Sequence, residues 1–200
     1  RIGLTGATVS RYELEAGSFE DESVDLEWQG ADVRFSIDAA ASAASYEGRI
    51  EPLKYVSGTG AWSLGAIGFK GEQQRTRYGF STGDIVLRMA DASLDVLIGG
   101  ASGFRTLAFD ARSKVADDRL SGVSSLDIEA LEMPEVGAID FGLDIAVNRL
   151  DAASVQRIRN ALEAAAETGE PVDGLDSVYP RVEKDLQTLL GAGAELRVDR

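Results

Sequence analysis

Apolar and polar residues alternate along most of the first 149 positions, and this period of two predicts strands with one wet and one buried face. In RYELEAG, Tyr12, Leu14 and Ala16 alternate with Arg11, Glu13 and Glu15; in VDLEWQG, Val24, Leu26 and Trp28 alternate with Asp25, Glu27 and Gln29. The same reading picks out Val33, Phe35 and Ile37; Tyr78 and Phe80; Ile85, Leu87 and Met89; Leu94, Val96 and Ile98. Further along come Leu107, Phe109 and Ala111, then Leu126, Ile128 and Ala130. The clearest run, AIDFGLDIAVN, puts Ile139, Phe141, Leu143, Ile145 and Val147 on one face. Between these runs EAGSFEDES, QGAD, GTG, STGD, IGGASG, ADDRLSG and MPEVG read as turns, because Gly supplies positive φ and Asp and Ser bond their own backbone. Strands joined by short turns pair antiparallel, which predicts a meander. AAASAAS at 39–45 fits a loop, a short helix and a small-residue strand equally.

At residue 150 the period changes. Val155, Ile158, Leu162 and Ala165 are spaced three, four and three, the spacing of one helix face. The pattern predicts a helix over 151–168 with Asp151 as its N-cap, Leu150 and Val155 as a hydrophobic staple, and Gly169 and Pro171 as its end. A second helix over 177–190 turns Val182, Leu186, Leu189 and Leu190 inward, with Pro180 in its first turn and Gly191 closing it. Strand pattern resumes at Leu196 and Val198. The expected fold is α+β and mainly β: a long, curved antiparallel meander over 1–149, two helices over 150–191 packing on one face near the C-terminal end, and a strand beginning at 194–200. Because ELRVD still alternates as the chain stops, residues 1–200 read as a fragment of a larger protein.

Charge narrows the partners. With 34 acidic against 20 basic residues, the net charge of -14 opposes nucleic acid, whose affinity comes mainly from Lys and Arg on phosphates. It opposes an anionic membrane surface for the same reason. The uncharged stretch YVSGTGAWSLGAIGF at 55–69 is too short for a span and carries four Gly. Without Cys or His there is no thiolate nucleophile, no Ser-His-Asp triad and no Cys/His zinc site.

Other chemistry is equally sparse. Asp25, Glu27, Asp95, Asp140 and Asp144 could pair as general acid and base, but all occupy wet alternate positions, where a solvated face explains them. DDRLSG at 117–122 and VDGLDS at 172–177 offer oxygen ligands for calcium without the spacing of an EF-hand. GTGAWSLG at 58–65 leads into strand rather than helix, so it is no phosphate loop. IGGASG lacks the GxSxG pattern and no Ser stands three residues before a Lys. Trp28, Trp62 and Tyr55 would serve as an aromatic platform for a sugar strand, against the commoner role of core packing. No catalytic, cofactor-binding or metal residue is therefore assigned, no cofactor is expected, and the chain is expected not to be an enzyme.

What remains is physical. Two short helices cover only part of a long sheet's apolar face, so the sheet must curl on itself, pair with another copy, or offer a groove to an acyl chain or apolar peptide. The expected function is interaction or assembly with another protein or with itself; the alternative is binding of a hydrophobic ligand on the apolar face, with a carboxylate enzyme a distant third.

SRYELEAGSFEDESVDLEW at 10–28, GTGAWSLG at 58–65, LDIAVNRLDAASV at 143–155 and LQTLLGAGAELRVDR at 186–200 together resemble the YdgA-like family, bacterial envelope proteins grouped under a domain of unknown function. The resemblance implies an inner-membrane anchor upstream of these residues and a body in the periplasm of a Gram-negative bacterium. It brings no catalytic motif.

Overall fold

The structure is a computed structural model and describes residues 6–96, 100–133, 135–167, 179–191 and 195–199. Its strands fall into eight successive arms. Six arms are interrupted: β1 (Thr8–Leu14) with β2 (Gly17–Glu20), β3 (Val24–Trp28) with β4 (Ala31–Ile37), β5 (Ala43–Ile50) with β6 (Leu53–Ser57), β7 (Gly60–Leu64) with β8 (Ile67–Arg75), β9 (Ser81–Met89) with β10 (Ala92–Val96), and β11 (Gly100–Phe104) with β12 (Thr106–Ala116). β13 (Arg119–Met133) and β14 (Gly137–Asp151) are each a single long strand, followed by helices α1 (Ala152–Glu167) and α2 (Tyr179–Gly191) and the last strand, β15 (Glu195–Asp199).

All pairing is antiparallel, and each arm pairs with the next. One half of the sheet runs β1-β4-β5-β8-β9-β12 and the other β2-β3-β6-β7-β10-β11, and both halves reach β13. That strand pairs β12 over Arg119–Glu129 and β11 at Glu132, with β14 on its far side and β15 beyond. The meander read from the sequence is thus present, as one long sheet that does not close.

Where the interrupted arms break, the apolar positions are three residues apart rather than two. The pairs are Leu14 and Gly17, Trp28 and Ala31, Ile50 and Leu53, Leu64 and Ile67, Met89 and Ala92, Phe104 and Leu107; β13 repeats the step at Ile128 and Leu131. These breaks are in register: Trp28 faces Leu53 while Ala31 faces Ile50, and Leu64 faces Ala92 while Ile67 faces Met89. The result is a line of bulges crossing seven arms. A one-residue excess flips the face of everything beyond it, so a bulge in every arm keeps the apolar side common to both halves. Backbone bonds still cross the line, from Gln29 N–H to Pro52 O (3.0 Å), Glu51 N–H to Gly30 O (2.9 Å) and Ala90 N–H to Ala66 O (3.0 Å). Pro52 is tolerated there because the regular ladder is already broken, and Gly30 supplies a φ of 115° beside the Leu14 carbonyl.

Several sequence readings change accordingly. QGAD and the start of EAGSFEDES are bulge crossings rather than reversals. STGD opens β9, and the reversal before it holds Tyr78 and Phe80, which are not in a strand. There Thr76 Oγ1 donates to the Phe80 carbonyl at 2.7 Å. Ala130 sits in the bulge of β13 with φ 49°, its N–H donating to Asp140 Oδ1 at 2.9 Å, so Leu131 carries the apolar face onward. Residues 39–41 form a turn and Ala43 opens β5. Ile98, Gly169 and Pro171 lie outside the described residues.

Among the described residues the sheet has no second layer. Of its positions whose burial is described, Gly30, Gly65 and Gly71 are buried and the others are half-buried or exposed. The whole chain exposes 13651 Å², against about 9,100 Å² for a compact monomer of this mass. Cross-strand packing substitutes for depth. Trp28 lies over Gly17, Phe69 over Gly48 and Tyr46 over Gly71, each directly opposed in register, and an added Cβ would come within 2.5, 2.6 and 2.3 Å of those rings. Aromatic side chains lying across facing glycines compensate for the weak packing of Gly in a strand.

The buried side chains belong to the helices: Ala152, Ser154 and Val182. Val182 of α2 packs against Ile158 and Ala161 of α1 and Leu186 of its own helix. Asp151 caps α1 as expected, accepting from Ser154 N–H at 2.9 Å. Arg157 Nε donates to Asp185 Oδ1 at 2.8 Å and its Nη2 to Ser154 Oγ at 2.9 Å, tying the helices through a network that includes a fully buried hydroxyl. The pair meets the sheet where β14 runs into α1. Ala152 N–H donates to Asp118 O at 3.0 Å, and Arg159 reaches the Gly79 carbonyl. No helix among the described residues is long and apolar enough to cross a membrane.

Candidate functional site

Register makes the apolar face continuous. One row runs Tyr12, Val33, Gly48, Phe69, Leu87, Phe109, Leu126 and Leu143 across eight arms. Beyond the bulge line another runs Phe19, Leu26, Tyr55, Trp62 and Leu94. Tyr55 and Trp62 stack with centroids 5.4 Å apart at 17°. Trp28 lies on the same face in the next row, its Nε1 donating to Glu15 O at 2.9 Å. The three aromatics singled out from the sequence therefore share one surface, with no layer over it among the described residues. A cavity of 240 Å³ on this side lies near Ile85, Ala111, Ile145 and Val147. Among the described residues the first arm ends the sheet as an edge, and Val9, Tyr12, Leu14 and Phe19 are each more than half exposed along it.

The opposite face is charged and carries ion pairs between neighbouring strands. Arg11 holds Asp32 through two bonds of 3.0 and 2.8 Å, and Arg88 meets Asp110 at 2.6 Å. The hydrogen bond from Arg11 holds the Asp32 carboxyl below its ordinary value. Asp38 is likewise lowered, first by the Ala43 N–H, then by the Ser42 hydroxyl, locking the turn between β4 and β5.

The carboxylates weighed as acid and base do not come together. Asp25 and Glu27 stay exposed on β3, Asp95 on β10 and Asp144 on β14, and Asp140 serves the β13 bulge. Among the described residues no group of three His, Cys, Asp or Glu is placed to hold a metal. In DDRLSG, Asp118 is taken by the Tyr78 hydroxyl and Arg77, which lower its pKa in that order, and Arg119–Gly122 is already strand. VDGLDS lies outside the described residues. Sequence reasoning passed over the cations of the charged face, because Arg34, Arg49, Lys70 and Arg88 stand singly on four strands and only register unites them.

Among the described residues the architecture is that of an open, single-layer antiparallel sheet whose arms share a bulge line, with the buried side chains in a helical pair at one end. The chain belongs to the family described as bacterial protein of unknown function (DUF945), whose profile matches residues 1–200. No curated protein and no solved structure matches it.

Proposed function

We propose that the chain is a non-enzymatic, YdgA-like domain of the bacterial cell envelope, held by an anchor at the inner membrane and facing the periplasm, that acts by association. Its apolar sheet face is the working surface, covered in the assembly by another protein surface or a second copy. One observation carries this reading: rows of Leu, Val, Phe, Tyr and Trp cross the sheet with no layer above them among the described residues. Monomeric proteins rarely expose an apolar patch beyond a few hundred Å². A photo-crosslinking amino acid in place of Phe109, in cells making the full-length protein, is expected to yield a protein adduct of discrete mass. No adduct from that position or from Leu94 would sink the proposal.

A second reading, binding of a lipid or other hydrophobic ligand, draws on the row from Phe19 through Trp62 to Leu94. It predicts lipid adducts in the same experiment and lipid retained through purification. The modest cavity on this face favours a flat protein contact over an enclosed acyl chain.

A further inference from the structure

A cavity of 910 Å³ lies on the charged face, and its lining has the opposite sign to the chain as a whole. Five cations, Arg11, Arg34, Arg49, Lys70 and Arg88, stand there against two carboxylates, Asp32 and Glu47, in a protein of net charge -14. An adjoining cavity on the same face has the reverse balance, Lys114 against Asp38, Glu72 and Asp84. The basic cavity has a defined floor. Gly68 is the direct register partner of Arg49 on one side and Arg88 on the other, and a Cβ built on it meets nothing within 4 Å. Two arginines thus flank a hollow about 10 Å wide, two strand spacings, with Lys70 two residues along the same strand. Arg49 spends its Nε on Glu51; Arg88 gives its Nη2 to Asp110 and its Nη1 to the Leu87 and Phe109 carbonyls, while no hydrogen bond or ion pair holds Lys70 or Arg34 among the described residues.

We propose that this hollow over Gly68 is a binding site for a multiply charged phosphate group, gripped by Arg49 and Arg88 and neutralised by Lys70. Planar guanidinium groups match phosphate oxygens in pairs, which suits two arginines facing across a gap. Glu51 fixes the Arg49 guanidinium, and Asp110 with the Leu87 and Phe109 carbonyls fixes that of Arg88, so neither arginine is ordered anew by the anion; the acidic cavity beside the hollow repels it on that side. The site lies on the face opposite the proposed association surface, so the two stand or fall separately.

The full 200-residue chain is titrated by calorimetry with inorganic pyrophosphate at low salt, and sedimented with phosphatidylcholine vesicles with and without phosphatidic acid. Binding is expected, with Arg88→Gln and Lys70→Gln each weakening it on the order of tenfold. Gly68→Thr is expected to abolish binding with every charge retained and the melting temperature unchanged, because the new side chain fills the hollow. Arg105→Gln, outside the hollow, leaves binding intact. Binding of pyrophosphate assigns the site to a soluble phosphate compound; binding of phosphatidic acid vesicles alone assigns it to a lipid headgroup. Failure of wild type to bind either probe overturns the proposal, and so does a Gly68→Thr protein that binds as wild type does, which would show diffuse attraction only.

Discussion

The sheet and the helical pair are stabilised in different ways. The helices bury Ala152, Ser154 and Val182 and are joined by one polar network, so a few contacts hold two elements. The sheet buries no side chain among those whose burial is described and spreads its stability over ladders, aromatic-on-glycine pairs and turns. Damage should therefore stay local in the helices and spread in the sheet, unless it blocks the backbone ladder itself.

Gly83→Ala is the severest test of the sheet. Its φ is 150°, and a Cβ there would stand 1.9 Å from the Glu72 carbonyl oxygen, so β8 and β9 must separate locally. A loss of about 3 kcal/mol or more is expected, read as a lower urea midpoint of strand signal. Wild-type stability would show that the sheet has slack to absorb it. Asp151→Ala should cost roughly 0.5 to 2 kcal/mol and raise hydrogen exchange in α1 while β9 and β12 keep their protection; equal loss in both would remove the distinction drawn between the two regions. Acid separates them more gently. Asp185 is 13% exposed and held below the ordinary carboxyl value, first by the Arg157 hydrogen bond. Its contribution is complete above the unfolded carboxyl pKa and lost as pH falls through the lowered folded one. The helices should thus loosen at acid pH, and Asp185→Asn should flatten that response, followed by helical circular dichroism. The smallest effect is expected from Arg11→Ala, a urea midpoint indistinguishable from wild type, because both partners of its pair with Asp32 are more than half exposed and solvent screens the attraction.

Alternation was readable within each half of each arm. Val33, Phe35 and Ile37, or Ile85, Leu87 and Met89, occupy the face their spacing implied, and Asp151 caps the helix it was assigned to. The bulge line was hidden because Gly and polar residues mark both reversals and bulges. Gln29-Gly30 reads like a turn, yet the chain continues in the same direction. The clue was parity: Trp28 and Ala31, or Ile50 and Leu53, keep alternation on each side while slipping by one between. The placement of Tyr78 and Phe80 failed because their spacing matches a strand while Thr76 and Gly79 close a turn around them. The absence of a second layer was foreseen only as a shortage of helix. The basic hollow was invisible because no local window contains two of its cations from different strands.

The line of bulges also constrains how such a chain can change length. Seven arms share one phase, so deleting a single residue such as Glu51 would rotate half of its arm to the wrong side of neighbours that cannot follow. A whole hairpin added at the free first arm, with a bulge of its own in each strand, disturbs no phase at all. Growth by pairs of arms is permitted and growth by single residues at the line is not, much as a pleated cloth takes a new pleat at its hem but not a stitch dropped in the middle.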